Sequence, residues 1–207
     1  AKRHFGPLKP SEIKPVKPRR EIEQRGSKRI KVEAPAELPY LIMGYKAPVV
    51  PGAESELRWE PYALDVLAGV LDGGTSARLE TELVRGQALA TSVGAGYDPY
   101  DRLQTLLVFS GTPSSGRSVG DLEKALLEQV RRLHETPVSE QELDRVKAKI
   151  RAEKVYEQDS IFYQAMQIGV METIGLNWNE LDRYYEHLNA VTPGQVQAVA
   201  RKYLTED

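Results

Sequence analysis

The fold class this sequence predicts is α+β, with a mainly antiparallel sheet of four or more strands covered by helices. Three observations carry it. Period-two hydrophobic stretches cluster in the first half of the chain, and the second half is helical by pattern throughout. A two-glycine break, Gly73-Gly74, joins two stretches of helical period. A tight polar turn, Asp98-Pro99-Tyr100-Asp101, joins two strand patterns as a hairpin. Strands followed by segregated helices give α+β rather than an alternating parallel sheet.

Arg29–Ala34 (RIKVEA) alternates and predicts the first strand. Pro39–Ala47 is apolar on both faces and predicts a second, buried within a sheet. A helix over 59–71 starts with Pro61 in its first turn, where a missing N–H costs little, and buries Leu64, Leu67, Ala68 and Leu71. Gly73 and Gly74 can take the positive φ that stops it. Thr75 or Ser76 can cap a second helix carrying Leu79 and Leu83 on one face. After Gly86 the period becomes two: Leu89, Thr91, Val93, Ala95 and Tyr97 share one face, and Ala90, Ser92, Gly94 and Gly96 the other. That small-residue face predicts close helix-on-sheet packing, with an added peptide strand at a sheet edge as the alternative. Leu103–Thr112 predicts strand four.

The helical half opens with Asp121 as cap and Leu122, Leu126, Val130 and Leu133 as a stripe ending at Pro137. Ser139-Glu140-Gln141-Glu142 has capping-box spacing for a helix to about residue 158. Further helices are predicted over 160–174, closing at Gly175, and over 178–188. Thr192-Pro193-Gly194-Gln195 combines a cap, a first-turn proline and a capping-box glutamine for the last helix.

Charge is unevenly placed. Residues 1–31 carry eleven Lys or Arg against three Glu, a local +8, while the remaining residues carry 17 basic and 27 acidic side chains, or −10. With Pro7, Pro10, Pro15 and Pro18, residues 1–28 read as the end of a preceding domain and a basic linker, and 29–207 as one α+β domain. The arm fits a tether lying across an acidic neighbour better than a nucleic-acid or anionic-membrane contact, because no aromatic residues interleave its charges. No run approaches the ~18–20 apolar residues of a membrane span, and no signal-peptide core opens the sequence.

The chemistry is bounded by what the residues lack. The chain has no cysteine and three histidines, His4, His134 and His187. Neither HExxH nor HxxEH occurs: Glu186-His187 copies the end of the inverted motif, but Arg183 stands at its first histidine. His187 therefore reads as a solvent-facing helix residue. No GxSxG elbow, P-loop or dinucleotide fingerprint is present, and a thiol nucleophile is excluded. The residues offer no catalytic set and no metal site of their own.

Asp72-Gly73-Gly74-Thr75-Ser76-Ala77-Arg78-Leu79 resembles the Gly-Gly-x-Ser-x-Arg-Leu turn-helix of the zinc metallopeptidases that include pitrilysin, insulin-degrading enzyme and the mitochondrial processing peptidases. Glu82-Leu83-Val84-Arg85, then Leu89-Ala90 and Ser92-Val93, resembles that family's "ELRE…GLAYSV" step. Arg3-His4-Phe5-Gly6-Pro7-Leu8 resembles the end of the preceding, zinc-bearing domain, and Val138–Lys149 the family's "T.EEL…K" helix. The similarity runs over essentially the whole chain and rests on the order and spacing of motifs that are weak singly.

The resemblance implies the second, zinc-free half of a subunit, whose HxxEH and zinc lie in a first half. This half would wall a chamber for unfolded peptide and pack on the catalytic half. Many members of the family it resembles, especially catalytic partners lacking zinc, carry an Arg and a Tyr in this step that reach across to the peptide. Arg85 matches the arginine, but Thr91 stands at the tyrosine position, so a homologous partner subunit is implied as the source of the complete pair. Tyr97 lies about 20 Å further along at ~3.3 Å per residue. Arg85, Thr91 and Tyr97 are thus the candidate substrate-binding residues, although Arg85 equally suits the last turn of a helix, where a cation complements the exposed carbonyls. Arg78, Gly73 and Gly74 are the candidate packing residues. The alternative is a non-catalytic assembly subunit of the same family. Periplasmic placement follows from family resemblance alone.

Overall fold

A computed structural model describes residues 2–9, 17, 24–52, 55–157 and 159–205. Half of the basic segment 1–28 lies outside them. Its start forms one short helix, α1 (Lys2–Phe5), with every residue exposed.

Three strands form the sheet: β1 (Leu41–Ala47), β2 (Ala90–Gly96) and β3 (Thr105–Pro113). Their order is β1-β3-β2, and both pairings are antiparallel. The 98–101 turn brings β3 back onto β2, while β1 takes the far side of β3 through the pair Met43–Phe109. Of the four predicted strands, the first is not formed among the described residues. Residues 29–34 run without strand pairing, and Ile30 and Val32 are 84% and 80% exposed. The alternation is there, but nothing among the described residues covers its apolar side. Arg29 instead pairs with Glu123 of the helix after β3. A strand pattern becomes a strand only where a neighbour takes its backbone groups.

The core lies between the sheet and α2 (Trp59–Asp72). Ala63, Leu64, Val66, Leu67, Val70 and Leu71 of α2 are fully buried against Leu107 and Phe109 of β3 and residues of the later helices. These are α3 (Val119–Glu135), α4 (Glu140–Glu157), α5 (Ile161–Ile174), α6 (Glu180–Ala190) and α7 (Pro193–Tyr203). α3 is capped by Ser118, not Asp121. The Ser118 hydroxyl accepts the Asp121 N–H at 3.1 Å and Asp121 returns the bond as the third residue of a capping box. Thr192 and Gln195 repeat that device on α7, with Pro193 in the first turn.

α2 and α7 are clamped by a buried charge. Glu60 is 4% exposed and accepts Lys202 Nζ at 2.7 and 3.0 Å together with the Tyr203 hydroxyl. Three hydrogen bonds from two side chains on one carboxylate offset much of its desolvation. Tyr184 of α6 ties to Asp65 of α2, and His187 stacks on Tyr62 with ring centroids 4.6 Å apart. His187 is exposed, as its sequence context predicts, and its ring covers a core tyrosine.

Candidate functional site

The site is built on the turn after α2 and the step into β2. Gly73 ends α2 at φ −95°, and Gly74 follows at φ +98°. The two glycines do different jobs. Gly74 supplies the left-handed backbone. Gly73 is needed for space, because a Cβ there would lie 2.2 Å from the Gly69 carbonyl oxygen.

The turn delivers Arg78 to α4. Its Nε and Nη2 donate to the two carboxylate oxygens of Glu142 at 2.8 and 2.7 Å, and both side chains are about four-fifths covered. The paired carboxylate and its desolvation are opposed, with the hydrogen bond the stronger, so the guanidinium pKa is raised. A planar fork on a planar carboxylate fixes orientation as well as distance, which a lysine could not do.

The second helix of the sequence pattern is a π-helix, Glu80–Gly86, with no side-chain cap. Gln87 N–H reaches back five residues to the Glu82 carbonyl at 2.8 Å. The wider turn ends at Ala88, whose φ of +46° makes it the non-glycine residue at positive φ among the described residues. In the motif that this step resembles, a glycine precedes Leu-Ala; here Ala88 holds that place. π-turns of this kind concentrate at functional sites.

A β-bulge between Ala90 and Ser92 then resets the alternation of β2. Ala90 is buried, Val93, Ala95 and Tyr97 pack on the core, and Thr91 turns to solvent instead of sharing their face. A helix covers the small-residue face only in part: Ala90 is buried, and Asp72 at the end of α2 reaches Gly94. Ser92 and Gly96 are exposed, and a Cβ at Gly96 would meet nothing within 4 Å. At Gly94 the missing Cβ makes room for a carboxylate: Asp72 Oδ2 lies 3.1 Å from where it would sit. Asp72 accepts the Ala95 N–H at 3.2 Å on the open edge of β2. Burial raises the Asp72 pKa, and the Ala95 N–H and Lys149 pull it back.

The three candidate peptide contacts have separate partners. Arg85 donates to the Thr75 carbonyl and lies 3.8 Å from Glu80, with its side chain 55% exposed. Thr91 donates to the Thr112 carbonyl at 3.3 Å. Tyr97 gives its hydroxyl to the Pro48 carbonyl at 2.5 Å, and burial pushes its pKa upward. A shallow cleft of about 200 Å³ runs beside Tyr97 between β2, α2 and α4, lined by Asp65, Asp72, Ala95, Lys149 and Glu153 among others. It is smaller than the ~300–1,000 Å³ of small-molecule sites. Among the described residues, no three His, Cys, Asp or Glu side chains gather as a metal site.

Asp72, Glu142 and Ala88 were not singled out by the sequence in these roles. Glu142 carried a capping-box signature, which concealed its role as the Arg78 partner.

Residues 1–150 match the family described as the peptidase M16 inactive domain. The chain belongs to that family. The M16 inactive domain here is similar to YmxG, an uncharacterised zinc protease of Bacillus subtilis, with 27% identity over 146 residues, 70% of this chain and 35% of YmxG. Its fold matches a protease from Helicobacter pylori at TM-score 0.74 and 20% identity, over 84% of this chain and 40% of that one. It also matches an inactive peptidase domain from Bordetella parapertussis at TM-score 0.71 and 19% identity, over 85% of this chain and 91% of that one. The chain thus spans well under half the length of YmxG and of the Helicobacter protease. No helix of the described residues is long and apolar enough to cross a membrane.

Proposed function

We propose that this M16 inactive domain is the C-terminal, zinc-free half of a zinc metalloendopeptidase subunit. It walls the chamber that holds an unfolded peptide, packs on the half that carries HxxEH, and works beside a homologous partner subunit that supplies a complete Arg/Tyr pair. The observation that carries this reading is the family membership of a chain spanning 35% of a zinc protease. Zinc, its ligands and the general base then belong to the remaining part of the polypeptide. Thr91 supports the partner subunit, because its short hydroxyl is spent on the Thr112 carbonyl. Asp72 on the Ala95 N–H favours a wall over strand addition at that point of β2, since an added peptide strand would compete for the same donor.

A second reading, a non-catalytic assembly subunit, draws on the likeness of the fold to a chain of complex III2 from Candida albicans at TM-score 0.64 and 15% identity. The full-length protein separates the two. HxxEH in the remaining sequence, one zinc per chain and cleavage of unfolded peptides, faster with the partner present, are the expected results. A full-length protein without the motif and without zinc would leave the assembly role.

A further inference from the structure

Gln129 of α3 lies where that helix otherwise buries leucine and valine. It is 1% exposed, on the same face as Leu126, Val130 and Leu133. Its Nε2 donates to Glu82 Oε2 of the π-helix at 2.9 Å, while its Oε1 has no hydrogen-bond partner among the described residues. A carboxylate only accepts, so the amide turns its nitrogen to Glu82 and leaves its oxygen unpaired. A buried acceptor left unpaired costs more than an ordinary hydrogen bond returns, and a leucine here would carry no such cost. Stability alone does not account for a glutamine at this position.

What the glutamine holds is the register of residues 80–86. Glu82 also receives Arg132 Nη1 at 2.6 Å, but the Arg132 side chain is 47% exposed and shared with Glu128, so water screens that pair. The bond from the dry interior is the stronger anchor. With its side chain tied to α3, Glu82 gives its carbonyl to the Gln87 N–H, five residues on, at 2.8 Å. An α-helical turn would send that N–H to the Leu83 carbonyl instead. The wider turn leaves Leu83 free to accept the Leu89 N–H at 2.8 Å, just before β2 begins. Ala88, at φ +46°, carries strain at this exit. Loss of the anchor favours closure to the α register. Closure would swing Arg85, three residues after Glu82, round the helix axis and away from the Thr75 carbonyl that now accepts from it.

We propose that Gln129 is a positioning residue: by holding Glu82 it keeps the π register of Glu80–Gly86 and so aims Arg85 at the main chain of a bound peptide. That Arg85 meets the peptide rests on the functional reading above; the hold of Gln129 on the register does not. Gln129→Leu nearly keeps the side-chain volume, removes the unpaired oxygen and leaves Glu82 to Arg132 and solvent. Glu82→Ala removes the acceptor from the π-helix side, at a position whose side chain is one-third exposed.

Both variants are made in the full-length protein, beside Arg85→Ala and the double variant Gln129→Leu/Arg85→Ala. Melting temperature, hydrogen exchange over residues 83–89, and kcat and KM for cleavage of an unfolded peptide are measured. Gln129→Leu is expected to melt at or above wild type and to exchange the Leu89 amide about tenfold faster or more. Its KM is expected to rise about tenfold with kcat within about twofold. The double variant should show the KM of Arg85→Ala alone, since both changes act at one contact. Multiplied KM effects, or an unchanged KM in Gln129→Leu where Arg85→Ala raises it, would overturn the positioning role. If Gln129→Leu melts lower, Glu82→Ala carries the comparison, with the same exchange and KM results expected. Unchanged exchange in both variants overturns the hold on the register, whether or not the protein cleaves peptides. A wild-type full-length protein without zinc and without cleavage removes the functional reading and the aim at a peptide with it, and faster exchange in the variants would then support the hold alone.

Discussion

Asp72 Oδ2 accepts the Ala95 N–H at 3.2 Å, so the last turn of α2 occupies a main-chain donor on the open edge of β2. Edge strands with free donors invite further strands, and a carboxylate placed on one blunts that tendency. The contact keeps a charged group partly out of water, and burial raises its pKa above the ordinary 3.8. The folded protein therefore holds the Asp72 proton at pH values where the unfolded chain has released it. This group favours the native state most below its unfolded pKa and loses that contribution as pH rises through the raised folded value. Asp72→Asn keeps an acceptor for Ala95 without the charge. Its Tm at pH 7 is expected above wild type, with the gain vanishing on acidification below 3.8; thermal melts across pH check it.

The Arg78–Glu142 fork joins the turn after α2 to α4 and is largely covered. A double-mutant cycle with Arg78→Ala and Glu142→Ala should give a coupling of about 1–3 kcal/mol by urea unfolding, above the ~0–1 kcal/mol of exposed pairs. Arg78→Lys should recover less than half, because one ammonium cannot make both bonds.

Ala88 pays for its positive φ. Ala88→Gly relieves roughly 1–2 kcal/mol of left-handed strain and loses roughly 0.5–1 kcal/mol to the freer unfolded chain, so a net gain of about 0.5–1 kcal/mol is expected. Denaturant midpoints of the two proteins give the sign directly.

Gly69 sets the approach of α2 to α4, since an added Cβ would lie 2.7 Å from Val146 Cγ1. Gly69→Ala should destabilise by about 1–3 kcal/mol through overpacking. Adding Val146→Ala makes room for the new methyl, so the double variant should be less destabilised than the two single changes sum to. Additive losses in denaturant melts would mean the two side chains do not oppose each other.

Arg85 is half exposed and hydrogen-bonds the Thr75 carbonyl. Arg85→Ala should change stability by no more than about 0.5–1 kcal/mol. A rise in KM for peptide cleavage by the full-length protein at unchanged Tm would then assign this side chain to the peptide. Parallel loss of both assigns it to the turn.

The sequence alone determined most of the elements, because their signals are local. Leu122, Leu126, Val130 and Leu133 repeat along one helix face, Thr192-Pro193-Gly194-Gln195 caps α7, and Gly73-Gly74 stops α2. In each case residues within a few positions satisfy one another's backbone groups. The family resemblance was legible for the same reason, since it rests on the spacing of such local signals.

Tertiary structure decided what needs a distant partner. Arg29–Ala34 has the alternation of a strand, but a strand also needs a neighbour to take its hydrogen bonds, and β1 pairs only with β3 among the described residues. The bulge at Ala90–Ser92 turned Thr91 away from Tyr97, because register is fixed across the sheet and not along it. Asp72 meeting Ala95, Arg78 meeting Glu142 and Gly69 meeting Val146 join residues 23 to 77 positions apart. Chain closure over such separations leaves no periodic trace in sequence, so only the packed fold discloses those pairs.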